Sequence, residues 1–136
     1  MKQGVQKFLQ DFGQAVVDHD LEQAATYLAK WHSDAYKCQF MKELKRREVE
    51  SEDDQGLTVP DSVSIQKSSE TLQELRAEGV PLPREVTPSN FQAWCCVNLQ
   101  TEADEQTILR FWVAVVREDE NYRLGYFRKD SVRNKN

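Results

Sequence analysis

Three runs near the C-terminal end decide the fold: FQAWCCVNLQ (91–100), TILRFWVAVVR (107–117) and YRLGYFR (122–128). All three are rich in β-branched and aromatic residues, the side chains that fit a pleated, half-buried surface. The gaps between them, Thr101–Gln106 and Glu118–Asn121, are of hairpin length. An antiparallel meander follows.

Strand parity then assigns faces. Ala93, Cys95, Val97 and Leu99 share one side, with Leu109, Phe111, Val113 and Val115 in register and Leu124 and Tyr126 continuing it. This set is nearly all apolar and calls for a cover of helices. The opposite side carries Trp94, Cys96, Asn98, Arg110, Trp112, Ala114, Val116, Arg123, Gly125 and Phe127. A solvent-facing sheet is ordinarily polar. This one holds two tryptophans around small residues, and Trp and Arg are frequent interface anchors. Trp94, Cys96, Arg110, Trp112, Ala114, Arg123 and Phe127 are therefore the expected interface. A homodimer is its simplest occupant, since a two-fold pair is the commonest way to bury such a patch. The competing arrangement folds residues 62–90 back over the same face and leaves a monomer.

The helices come first in the chain. Val5, Phe8, Leu9, Phe12, Ala15 and Val16 recur at helical spacing over Gln3–Asp18 and form one apolar stripe. Asp20, with Gln23 three residues on, has the form of a capping box. It opens a second helix carrying Leu21, Ala24, Ala25 and Leu28 and ending near Trp31. Ser33 or Asp34 caps a third, with Tyr36, Phe40, Met41 and Leu44 on its apolar side. Its other face bears the densest basic patch, Lys42, Lys45, Arg46 and Arg47, interspersed with Glu43 and Glu48, and reads as a solvated helix surface.

Between helices and sheet the chain is polar. Residues 51–58 form an acidic connector, Ser62–Gln66 an edge strand after Val59-Pro60, and Thr71–Glu78 a short helix stopped by Gly79. Pro81, Pro83 and Pro88 keep the approach to Phe91 irregular. The whole 136 residues read as a single α+β domain, with helices over about 3–50 packed on a curved antiparallel sheet mainly at 91–128.

Composition narrows the function. A net charge of −5 gives no general attraction to nucleic acid or to an anionic membrane. No apolar run is long enough to span a bilayer. Met1-Lys2-Gln3-Gly4 leads into the amphipathic pattern without an apolar signal core, so a cytoplasmic location is expected. The cysteines, Cys38, Cys95 and Cys96, are odd in number, and two are adjacent on one strand, pointing to opposite faces. They read as small buried hydrophobes rather than a disulfide framework.

His19 and His32 are the only histidines, and no Cys or carboxylate cluster stands at ligand spacing beside them, so no metal and no cofactor is expected. No Gly-rich phosphate loop or Gly-x-Ser-x-Gly elbow occurs.

Two stretches carry a family resemblance. VVDHDLEQAATYL (16–28) places an aspartate before a helix of small residues and leucine, and RFWVAVV (110–116) runs into YRLGYF (122–127) as a closing hairpin. Together they resemble the nuclear-transport-factor-2-like, or cystatin-like cone, superfamily. The resemblance covers under a third of the chain and implies helices on a curved sheet. It also implies kinship with SnoaL-like and ketosteroid-isomerase groups, whose scaffold serves many activities.

Isomerase chemistry needs a carboxylate base inside the cone. The three strong runs contain no Asp or Glu, and the helix candidates Asp11 and Glu22 lie off the apolar stripes. The expected function is therefore a non-enzymatic binding or protein-interaction module dimerising through its sheet. The alternative is a SnoaL- or ketosteroid-isomerase-like enzyme acting on a small apolar molecule between helices and sheet. Trp31, His32, Tyr36 and Tyr126 are the candidate ligand-binding residues in that case.

Overall fold

The computed structural model describes residues 3–50, 62–68, 70–101 and 106–131. The acidic connector 51–58 lies outside them, as do the side chains of Lys45, Arg46 and Arg47. Helices α1 (Gln3–Val17), α2 (Leu21–Ala25) and α3 (Asp34–Glu50) come first. Strand β1 (Ser62–Ser68) and helix α4 (Leu72–Ala77) follow, and the chain continues as β2 (Phe91–Thr101), β3 (Gln106–Glu118) and β4 (Asn121–Ser131). The strands form one antiparallel sheet in the order β1-β2-β3-β4. The α+β class and the order of helices before sheet are as the sequence implies.

The apolar stripe of α1 faces the sheet, and Val5, Phe8, Leu9, Phe12, Ala15 and Val16 are all buried. Phe12 packs at about 6 Å, ring centre to ring centre, against Phe40 of α3 and Phe111 of β3 (6.1 and 6.2 Å). Gly13 permits a close approach of α1 to β1: a Cβ there would stand 2.6 Å from Val63 Cγ1.

The second helix is shorter than the sequence suggests. It is capped as expected, by the Asp20 side chain accepting the Gln23 N–H at 3.2 Å. It stops at Ala25, however, because the following residues pair with β4. Leu124 donates its N–H to the Tyr27 carbonyl at 2.7 Å and accepts the Ala29 N–H at 3.0 Å. Two sheet-type bonds to an edge strand displace the helical continuation. The Glu118 carboxylate fixes the same segment by accepting the Lys30 backbone N–H.

On the far side of the sheet lies α4. Its N-terminus is a complete capping box of Thr71 and Glu74, and the chain leaves it through Gly79 at φ +93°. Leu75 packs on Trp94 and Ala114, while Leu72 and Val86 pack with Ala29 and Val116. Arg76 holds the following loop by donating to the carbonyls of Pro83 (3.1 Å) and Val86 (2.7 Å). The sheet is thus covered on both faces, by α1–α3 on one and by α4 with residues 80–86 on part of the other.

One irregularity reassigns side chains. Ala114 pairs with Tyr126 and Val115 with Leu124, so Gly125 is an extra residue in β4, a β-bulge. Past a bulge the period-two alternation shifts by one. Tyr126 therefore lies on the outer face, stacked 6.0 Å from Trp94, and Phe127 lies inside, 4.7 Å from Phe40 and 5.0 Å from Phe111. The faces expected for these two residues are exchanged.

Candidate ligand groove

Trp31, His32, Tyr36 and Tyr126, the four candidate ligand-binding residues, line one groove of about 390 Å³. Its position differs from the expectation. It is not inside the cone, between helices and sheet, but beside it, where the turn from α2 to α3, the edge of β4 and the loop after α4 meet. The turn supplies Trp31, His32 and Ser33, and α3 supplies Tyr36 one turn further on. Strand β4 supplies Tyr126 and Phe127 on either side of its edge, and the loop closes the wall with Pro81, Pro83 and Glu85. The bulge at Gly125 brings the Tyr126 side chain to this side. Asn90 steadies the loop by donating to the Glu85 carbonyl at 2.8 Å.

His32 is the pivot. Its ring lies between Trp31 and Tyr36, with centroids 4.2 and 4.0 Å away. Nε2 stands 3.0 Å from the Leu124 carbonyl, which can only accept, so Nε2 carries the proton. Among the described residues no protein group is bonded to Nδ1, which is left as an acceptor. Burial lowers the pKa of His32 below its ordinary value; the Leu124 carbonyl and the Glu85 and Glu118 carboxylates oppose this, and Lys37 adds to it. The ring is accordingly neutral at pH 7. Tyr36 is held in its phenol form, its pKa pushed up to about 12 by burial despite a hydrogen bond to the Phe127 backbone.

The expected interface residues are distributed differently. Trp94 (3% exposed), Cys96 (2%) and Ala114 (0%) are buried within the chain itself. Ala114 and Gly125 are small, as a close approach requires, but Leu75 and Val86 of the same chain take that space. Trp94 is thus covered within the chain. Arg110 donates from Nε to Asn98 Oδ1 at 2.9 Å, and Arg123 lies 4.0 Å from Glu118 and donates to its neighbour's carbonyl. Trp112 is half-buried, stacked 5.6 Å from Trp94, and Phe127 is half-buried, packed against the inner core.

The space between α1, α3 and the sheet is filled by Phe12, Phe40 and Phe111. Among the described residues the buried polar or charged side chains are His32 and Asn98, and neither enters that interior aromatic cluster. Asp11 and Glu22 are exposed, Asp11 in an ion pair with Lys7 at 3.3 Å. All three cysteines are thiols, Cys38 exposed and the other two buried. Among the described residues no group of three or more His, Cys, Asp or Glu side chains could hold a metal ion, and no helix is long and apolar enough to cross a membrane.

A second, larger concavity of about 750 Å³ lies between α4 and the ends of β1 and β2, with Leu72, Phe91 and Ala93 at its apolar side and Lys67 and Gln92 among its polar residues. Sequence reasoning missed this cavity, and it missed the proline wall of the aromatic groove. The only sequence signal for either was the run of prolines itself.

No protein-family model, no curated protein and no solved structure matches the chain.

Proposed function

We propose that this chain is a non-enzymatic binding domain of the nuclear-transport-factor-2-like cone type, whose groove beside β4 takes a small apolar or aromatic group. One observation carries the reading: Trp31, His32, Tyr36 and Tyr126, drawn from three separate elements, converge on one concavity. Its volume lies within the range of small-molecule sites, and its aromatic lining with a few fixed polar atoms is their usual chemistry. The filled interior supports binding over isomerase-like catalysis, because a carboxylate base working inside the cone would need room and a substrate beside it.

Native mass spectrometry of the undenatured protein tests this. A small-molecule adduct on the wild type, diminished by Tyr126→Ser, is the expected result. A bare wild type, whose indole resonances also stay still during titration with apolar aromatic fragments, refutes it.

Self-association through the sheet is the second reading, confined to the part of the outer face around Trp112, which is half-buried at the middle of β3. Light scattering on the wild type and Trp112→Glu tests it: a dimer that survives the substitution does not use this face.

A further inference from the structure

The groove is rich in rings, and its one charged lining residue among those described is a carboxylate. Five rings line it, those of Trp31, His32, Tyr36, Tyr126 and Phe127. Its charged lining residue is Glu85, and among the described residues that line it none is Lys or Arg. Glu118 and Lys37 act on His32 with opposite sign from outside the lining, and Glu118 already lies 4.0 Å from Arg123 and accepts the Lys30 N–H. His32 spends its one N–H on the Leu124 carbonyl. Pro81 and Pro83 have no N–H to give. Ser33 Oγ accepts the Tyr36 N–H at 3.1 Å and keeps its own O–H as a donor.

A lining with a carboxylate and no Lys or Arg among its described residues disfavours anions. A primary ammonium brings several N–H groups that stay better hydrated in open water than against ring faces. A cation without N–H groups suits it, because the negative faces of Trp and Tyr attract the charge and no hydrogen bond is lost. We infer that the groove binds a small quaternary-ammonium molecule of the choline type, its methylated head against Trp31, Tyr36 and Tyr126 and its charge facing Glu85. This rests on the groove being a binding site at all.

The test separates the two claims. Choline chloride is titrated into the protein by calorimetry and by following the Trp31 indole resonance, beside 3,3-dimethyl-1-butanol, the neutral molecule of the same shape. Choline binding at least about threefold tighter than the alcohol is expected. Glu85→Gln, at an exposed position that leaves the fold alone, should weaken choline several-fold and leave the alcohol unchanged. Tyr126→Leu should weaken choline more than the alcohol. Equal binding of the two molecules overturns the cation assignment while leaving an apolar groove. Binding of neither overturns both. Choline affinity untouched by Glu85→Gln and Tyr126→Leu overturns the site.

Discussion

Replacing Gly125 by alanine sets two effects of opposite sign against each other. Gly125 is the unpaired residue of the β4 bulge, and its φ is not in the left-handed region, so alanine meets no backbone penalty there. Restricting the unfolded chain would by itself stabilise by about 0.4–1 kcal/mol. The added methyl, however, would stand 2.8 Å from Val116 Cγ1 and 3.1 Å from Val86 Cγ2. Neither valine can swing away: Val116 is 1% exposed and Val86 0%, and both are packed against Leu72 and Ala29. Overpacking of this kind costs about 1–3 kcal/mol. The net expectation is a loss of about 1–2 kcal/mol, or roughly 4–8 °C in melting temperature for a chain of this size. Urea denaturation measures it as a lower midpoint with an unchanged slope. In a Val116→Ala background the same substitution should cost about 1 kcal/mol less, because the nearest methyl is gone. A Gly125→Ala protein as stable as wild type would refute the assignment of Gly125 as the point where Val86 and β3 close on β4.

Phe12→Ala should cost about 3–5 kcal/mol in denaturant unfolding, since Phe12 is fully buried among Phe40, Phe111 and Tyr27. Because burial holds His32 below its ordinary pKa of 6.5, the unfolded chain binds the proton first. Stability should therefore fall as pH drops below about 6.5 and level off once the pH passes below the folded value, a slope that His32→Gln removes. A thiol reagent should modify exposed Cys38 in the native protein, with Cys95 protected by burial and by a pKa pushed up to about 11; denaturant should release it, and rapid native labelling of Cys95 would contradict the inner-face register. Asp119 and Glu120 both have positive φ, 51° and 69°, in the two-residue turn between β3 and β4. Glu120→Gly should raise stability by about 0.5–1 kcal/mol, as relief of the left-handed strain outweighs the added chain entropy; a lower urea midpoint would speak against the turn geometry.

Local signals were legible wherever one segment's chemistry decides its own state. The stripe from Val5 to Val16 chose the buried face of α1. Asp20 marked a helix start because its side chain reaches the N–H three residues on, and Gly79 marked a helix end; Thr71, read as the first residue of its helix, is the cap before it. The alternating runs gave three strands, and the gap at Glu118–Asn121 gave their hairpin, close to the observed bounds. The sequence groups Trp31, His32, Tyr36 and Tyr126, but for a pocket between helices and sheet; the structure brings them together beside the cone, with Tyr126 on the outer face.

Tertiary structure decided what depends on partners distant in sequence. Leu28 and Ala29 looked helical, but the open edge of β4 offered them sheet bonds at Leu124, and the edge won. Gly125 is the visible trace of a bulge in the sequence, yet only the pairing of Ala114 with Tyr126 and Val115 with Leu124 shows which side the extra residue shifts. That single insertion turned Phe127 toward the core and Tyr126 to the groove. The apolar outer face announced that something must cover Trp94; composition could not say whether a second molecule or the chain's own α4 would do so. The reason is the same in each case: periodicity reports which side of an element is apolar, while the identity of what packs there depends on contacts between residues far apart in the chain.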